Sequence, residues 1–311
     1  MTDAASVDKP GKRPVHGVLL LDKPLLLSSN SALQKARWHF HAQKAGHTGV
    51  LDPMATGLLP VCFGEATKFS AFLLDADKGY TATLRLGQTT TTFDTEGEII
   101  NERPVEVSRA QLEAVLAQFI GPIQQLPPMY SALKFQGKAL YEYARQGIEI
   151  ERKTRDVVIH HITLLAFTDD TVVLDVQCSK GTYIRSLAHD IGQALGCGAH
   201  LTALRRTRTA GFALDHALTL EQLAEIPFPE RQAVLLPVDV LVQHFPALTA
   251  TDDEKHRLTH GQPVHSPQNS AIMQDFRLYD TSGMFFGLGQ IRADGQLWPN
   301  RLLVNSSTVG A

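Results

Sequence analysis

Two stretches of strict alternation constrain this chain most. Tyr80, Ala82, Leu84 and Leu86 alternate with Thr81, Thr83 and Arg85, and Val172, Leu174, Val176 and Cys178 alternate in the same way. Period-two spacing places each set on one side of a strand, so both segments predict strands with a single buried face. Just after the second stretch the period changes, because Ile184, Leu187, Ala188 and Ile191 recur at helical spacing. Tyr183 and Arg185 stand at that switch.

Other elements follow from local signals. The apolar run Gly17 to Asp22 predicts a buried strand, and Ser28 to Asn30 offer helix caps ahead of Leu33, Ala36 and Phe40. Leu58 to Phe63 predicts a strand, followed by a helix over 65–74. Ser108 with Gln111 forms a capping box for a helix carrying Leu112, Val115, Leu116 and Phe119, with Gly121-Pro122 as its stop. Thr219 with Gln222 and Thr251 with Glu254 open two more helices, the second ended by Gly261. The character of the chain changes near Phe245-Pro246, where a boundary is placed. Beyond it, Asp294-Gly295 lies between two apolar runs as a hairpin signal, so residues 248–311 predict a small β-barrel. Residues 1–14 read as a disordered tail and the last residues as frayed.

The formal charge of -3, from 29 Lys+Arg against 32 Asp+Glu in 311 residues, excludes a uniformly basic nucleic-acid coat and leaves only local patches. Cys178 to Ala210 holds Lys180, Arg185, Arg205, Arg206 and Arg208 against Asp190, and Lys35 to His47 contains no acid. The three cysteines fit neither a CxxC motif nor a disulfide framework, and no apolar run is long enough to span a bilayer. A reducing cytoplasm is the expected compartment. No dinucleotide fingerprint or P-loop occurs, and the histidine pairs His39/His41 and His160/His161 lack partners at metal-ligand spacing.

The segment GHTGVLDPMATGLLP, Gly46 to Pro60, carries a single carboxylate, Asp52, with the nearest acids at Asp22 and Glu65. An Asp before Pro among glycines is an ordinary turn residue. It is equally an acid that a ligand can approach closely, and its neighbours Lys44 and His47 would keep it ionised for nucleophilic attack. By pattern alone Tyr80 and Tyr183 read as core aromatics and Arg185 as a solvated charge.

HGVLLLDKP at His16 to Pro24, GHTGVLDPMATGLLP, GEATK at Gly64 to Lys68, SALKFQGKALYEYARQG at Ser131 to Gly147, CSKGTYIRSL at Cys178 to Leu187 and GCGAHLTALRR at Gly196 to Arg206 together resemble pseudouridine synthases of the TruB type. The resemblance covers about His16 to Val304. It implies an α+β fold: a catalytic domain over 15–247 on a largely antiparallel mixed sheet with flanking helices, an RNA-clamping insertion at about 129–151, and a C-terminal PUA-like barrel. It implies isomerisation of uridine 55 in the T loop of tRNA, by base flipping, with Asp52 as nucleophile. Arg185 would pair with Asp52 and lower its pKa, Tyr80 would stack on the flipped base, and Tyr183 would assist proton removal. His47, Leu204 and Lys23 would contact the substrate. Neither cofactor nor metal is implied, tRNA is the partner, and no protein partner is indicated for a cytoplasmic monomer. One departure stands out, since the family places a glycine one residue beyond LDKP, where this chain has Leu25-Leu26-Leu27.

Overall fold

The computed structural model describes residues 11–265 and 273–304, so residues 1–10 of the expected tail and the C-terminal residues from 305 lie outside it. The larger sheet takes β1 (Gly17–Lys23), β2 (Ala45–His47), β3 (Ala55–Phe63), β4 (Lys78–Leu86), β5 (Gly121–Gln125), β6 (Arg155–Thr168), β7 (Thr171–Cys178) and β8 (Ala199–Thr209). Its order is β1-β3-β8-β4-β7-β6-β5, with β2 also on β3. Of these pairs only β3–β8 is parallel. The inward residues of β4 and β7 predicted by alternation, among them Ala82, Leu84, Val172, Leu174 and Val176, are all buried. Helices α1 (Ser29–His39), α2 (Arg109–Gln118) and α3 (Ile184–Ala194) pack onto the same core through Ala32, Leu33, Leu112, Leu187 and Ile191. This is an α+β fold.

Capping residues match their signals: Ser28 accepts from the Ser31 amide, and the Ser108/Gln111, Thr219/Gln222 and Thr251/Glu254 boxes are all formed. Gly121-Pro122 ends the α2 region but also begins β5, because β5 is the sheet edge, where a proline without an amide hydrogen is tolerated. The helix expected over 65–74 is instead a 3-10 turn, Gly64–Lys68, and one α turn, Ala71–Leu74. Lys68 pairs with Glu65 three positions away at 2.7 Å, and both also bind the chain's C-terminal strand, through the Leu302 carbonyl and the Val304 amide. Three residues per turn aligns that pair.

Beyond Phe245-Pro246 come β9 (Ala247–Thr249), α4 (Asp252–Thr259), β10 (Val264–His265), β11 (Asp275–Tyr279), β12 (Phe285–Ile291) and β13 (Gln296–Leu302), which form a five-stranded sheet in the order β9-β11-β12-β13-β10. The Asp294-Gly295 turn joins β12 to β13. An apolar cluster runs from Val18, Leu20, Leu58 and Phe69 to Phe285, Leu288 and Leu303, so this sheet packs against the outer side of β1 and β3.

The leucine run resolves as a turn in which Leu26 takes φ 66° while its side chain stays 78 % exposed. The left-handed geometry a glycine would supply is therefore kept by a residue with a Cβ, at a local cost of about 1–2 kcal/mol. Glycine would remove that cost and add some unfolded-state entropy. Leu26→Gly should therefore raise stability by about 0.5–1 kcal/mol, read as a higher denaturant midpoint at unchanged slope; a lower midpoint would show that the leucine is favourably packed.

Candidate active site

The loop between β2 and β3 is pinned from both sides, which makes Asp52 a fixed apex. Leu51 and Met54 are buried beneath it. The Leu51 amide donates to Ser29 Oγ at 2.8 Å, and the same hydroxyl donates to the Leu51 carbonyl at 3.0 Å, so the first residue of α1 clamps the loop. The Leu26 amide donates to the Pro53 carbonyl at 2.8 Å and the Ala55 amide to the Asp52 carbonyl at 3.0 Å. The Asp52 side chain remains 37 % exposed, through the cavity described below.

Arg185 lies in the first turn of α3 with its side chain only 6 % exposed, so it is not the solvated charge its sequence position suggests. Its Nη2 is 3.0 Å from Asp52 Oδ2 and donates to the Tyr130 carbonyl at 2.7 Å. Its Nη1 is 3.2 Å from Asp94 Oδ2. Asp94, whose side chain is 1 % exposed, is held by Thr92 Oγ1 at 2.5 Å and by the Glu96 amide at 2.9 Å. Asp52 is thus not electrostatically alone: one guanidinium serves two carboxylates.

That sharing corrects the expected pKa. Burial pushes the Asp52 carboxyl above the ordinary aspartate value; Arg185 opposes the shift and Asp94 adds to it. Arg185 limits the cost of ionising Asp52 without lowering its pKa below that of a free aspartate.

Asp52, Tyr80, Tyr183, Arg185 and Leu204 line one cavity of about 330 Å³. They come from the β2–β3 loop, β4, the turn before α3, α3 and β8. Tyr80 is buried, and burial raises its phenol pKa, as it does for Tyr183. Gln125 fixes Tyr183 from the edge strand: its Oε1 accepts from the Tyr183 amide at 3.0 Å and its Nε2 donates to the Tyr183 carbonyl at 3.3 Å. Leu204 stands between Ala55 of β3 and Ala82 of β4, which leaves its side chain as the bulk on that wall. His47 does not join this group. It lines an adjoining cavity of about 400 Å³ with Tyr130, Tyr141 and Arg145, which meets the first at Asp52 and Arg185. Burial, followed by the charge of Arg206, lowers the His47 pKa and favours the neutral ring.

Lys23 departs from expectation. It has no exposed surface, and its Nζ donates to the Pro24 and Leu27 carbonyls at 2.9 and 2.6 Å. Burial lowers its pKa to about 8. It braces the leucine turn and contributes charge beneath Asp52 rather than offering a contact to a substrate. The basic segment Cys178 to Ala210 is likewise less open than composition suggests: Arg206 is fully buried and Arg205 pairs with Asp22 at 2.6 Å, while Arg208 is exposed, as is Lys180, which pairs with Asp75 at 2.9 Å.

Sequence reasoning missed Ser29, Asp94, Gln125 and Arg206. Only Asp94 carried a readable signal, since its bond to the amide two residues on is an Asx turn encoded by DTEG.

Residues 37–184 match the N-terminal domain of TruB family pseudouridylate synthases, residues 185–243 the tRNA pseudouridylate synthase B C-terminal domain, and residues 246–303 the C-terminal domain of pseudouridine synthase II TruB. The tRNA pseudouridine synthase B of Chromobacterium violaceum is 60 % identical over 97 % of this chain and 99 % of its own. That of Pseudomonas aeruginosa is 50 % identical over 94 % of this chain and 97 % of its own. Among solved structures, a Cbf5-Nop10-Gar1 complex aligns with TM-score 0.69 at 28 % identity over 92 % of this chain and 84 % of that chain. An archaeal box H/ACA Nop10-Cbf5 complex aligns with TM-score 0.71 at 23 % identity over 96 % and 89 % respectively, a likeness of fold.

Proposed function

The chain belongs to the TruB family of pseudouridylate synthases, and from that membership we propose that it isomerises uridine 55 in the T loop of tRNA with Asp52 as the nucleophile. The observation that carries this reading is the convergence of Asp52, Tyr80, Tyr183, Arg185 and Leu204 on one cavity. The reaction breaks the bond from ribose C1′ to N1, turns the uracil, joins C5 to C1′ and removes the C5 proton. It needs one ionised carboxylate, an aromatic wall for an extruded base and a group near C5 to handle the proton. In this reading Asp52 attacks the flipped nucleotide, Tyr80 stacks on its base, Tyr183 assists at C5, and Leu204 closes the pocket.

Among the described residues Asp94 does not line this cavity and Glu96 lines only the adjoining one, so no second carboxylate faces the pocket of Tyr80 and Tyr183, and a paired-acid glycosidase mechanism is disfavoured. His47, in the adjoining cavity, is placed to occupy space vacated when bases leave the stack. Extruding a base costs a few kcal/mol, least where it is not in a duplex, which favours a loop uridine. The residues of the 129–151 insertion that line both cavities are those we assign to clamping the RNA. Among the described residues no helix is long and apolar enough to cross a membrane. We assign the protein to the cytoplasm, acting as a monomer without a protein partner.

The test is to incubate the protein with unmodified tRNA and to map pseudouridine along it. Modification at position 55 alone is expected. Modification elsewhere would refute the assigned position, and tight binding with no pseudouridine would reduce the protein to an RNA-binding scaffold.

A further inference from the structure

Arg206 has no assigned role, yet among the described residues it is the largest fully buried side chain, 1 % exposed. Among the described residues it pairs with no carboxylate. Its Nε donates to the Leu58 carbonyl at 2.7 Å, and its Nη2 is sealed from solvent with no hydrogen-bond partner. A buried guanidinium without a counter-charge is costly to keep, so its surroundings indicate its use.

On β3 Gly57 packs against its backbone, where a Cβ would come within 2.3 Å of the Arg206 carbonyl oxygen. Gly49 lies beside the guanidinium, where a Cβ would make an ordinary contact 3.5 Å from Nη1. On β4, Arg206 stands directly opposite Tyr80 in the strand register, so the two side chains leave the same face of the sheet as a cross-strand pair. Both line the cavity that contains Asp52.

We propose that Arg206 is a positioning residue for Tyr80: the guanidinium only donates, so it holds the phenol oxygen as an acceptor and fixes the ring on which the base stacks. The inference rests on the proposed function only in taking this cavity as the uridine site. Burial raises the phenol pKa of Tyr80, the charge of Arg206 opposes that rise, and Cys178 from β7 and Asp52 from the catalytic loop add to it. Lys23, Lys78 and His47 are the other titratable groups that feel Arg206. Among the described residues, Arg206 is the cation that stands opposite Tyr80 on the neighbouring strand.

The test uses the full chain labelled with 13C at tyrosine Cζ, with the six tyrosines resolved by a Tyr80→Phe assignment variant. In Arg206→Met the Tyr80 Cζ resonance should move and single-turnover pseudouridine formation should fall by about 10²-fold, the scale of a positioning group displaced by about 1 Å, while RNA affinity stays within about 3-fold. Arg206→Lys retains a charged donor and should restore both the resonance and most of the rate. A folded Met variant with an unmoved Tyr80 resonance, or with affinity reduced as far as rate, would overturn the proposal. If the Met variant does not fold, the Lys variant decides: a wild-type resonance accompanied by a rate loss of about 10²-fold would equally overturn it. Should the wild type form no pseudouridine, the functional reading fails, while the resonance still reports whether Arg206 orients Tyr80.

Discussion

Asp52→Asn should abolish pseudouridine formation, by about 10⁴-fold or more, the scale seen when a nucleophile is removed, and should leave the fold at least as stable at neutral pH. The two effects have opposite signs for one reason. Burial raises the Asp52 pKa in the folded protein, so the folded state binds this proton more tightly than the unfolded chain does. Stability therefore falls as pH rises from the unfolded value through the raised folded one, and above that window the ionised carboxylate is a constant penalty. Asparagine removes the penalty, while Arg185 keeps Asp94 as its partner. The same shift sets the pH dependence of turnover, because the attacking form is the carboxylate. The wild-type rate should decline toward acid along a limb centred above the ordinary aspartate range. Near-normal turnover by Asp52→Asn in single-turnover assays would show that another group attacks. An acid limb at or below the free-aspartate value would show that the counter-charge dominates burial.

Arg185→Met should fail on two counts that can be measured separately. Turnover should drop by about 10²–10³-fold because Asp52 loses the only cation that contacts it directly among the described residues. Stability should drop by about 3 kcal/mol because Asp94, fully buried, is left without its cation. RNA affinity should change little, since the guanidinium faces protein groups, including the Tyr130 and Thr92 carbonyls, rather than solvent. The acid limb of the rate profile should also move to higher pH. A loss of affinity equal to the loss of rate would identify Arg185 as a phosphate contact instead. Asp94→Asn separates the two effects, since it removes the competing carboxylate and should shift the acid limb to lower pH while Arg185 stays paired with Asp52.

The sequence made part of this legible and hid part for identifiable reasons. Strands β4 and β7 were readable because each alternates without interruption across a central position in the sheet. Strands β6 and β8 were not, although they are the longest. Register shifts at Ile159/His161 and Leu164/Ala166 in β6, and at Leu201/Ala203 and Arg206/Arg208 in β8, break the period of two. Three arginines in β8 also disguise a central strand as a basic surface segment. Asp52, Tyr80, Tyr183, Leu204 and Arg185 were identified through motifs that resemble a family. Their supports were not, because Ser29 and Gln125 act through contacts 22 and 58 positions apart in the chain, and Asp94 through its pairing with the still more distant Arg185. No local pattern encodes such distances. Lys23 shows the reverse error: a motif position suggested substrate contact, and burial made it a brace.

The position of β8 has a consequence for how the chain is born. β3 and β4 are synthesised early, yet they do not pair with each other; the strand between them, Ala199–Thr209, emerges from the ribosome more than a hundred residues after both. Until then each presents an open edge, and the wall that carries Leu204 and Arg206 does not exist. The nascent chain must therefore keep two aggregation-prone strand edges apart while more than a hundred residues are added, and the catalytic chamber closes in one late step when a single strand slots between them.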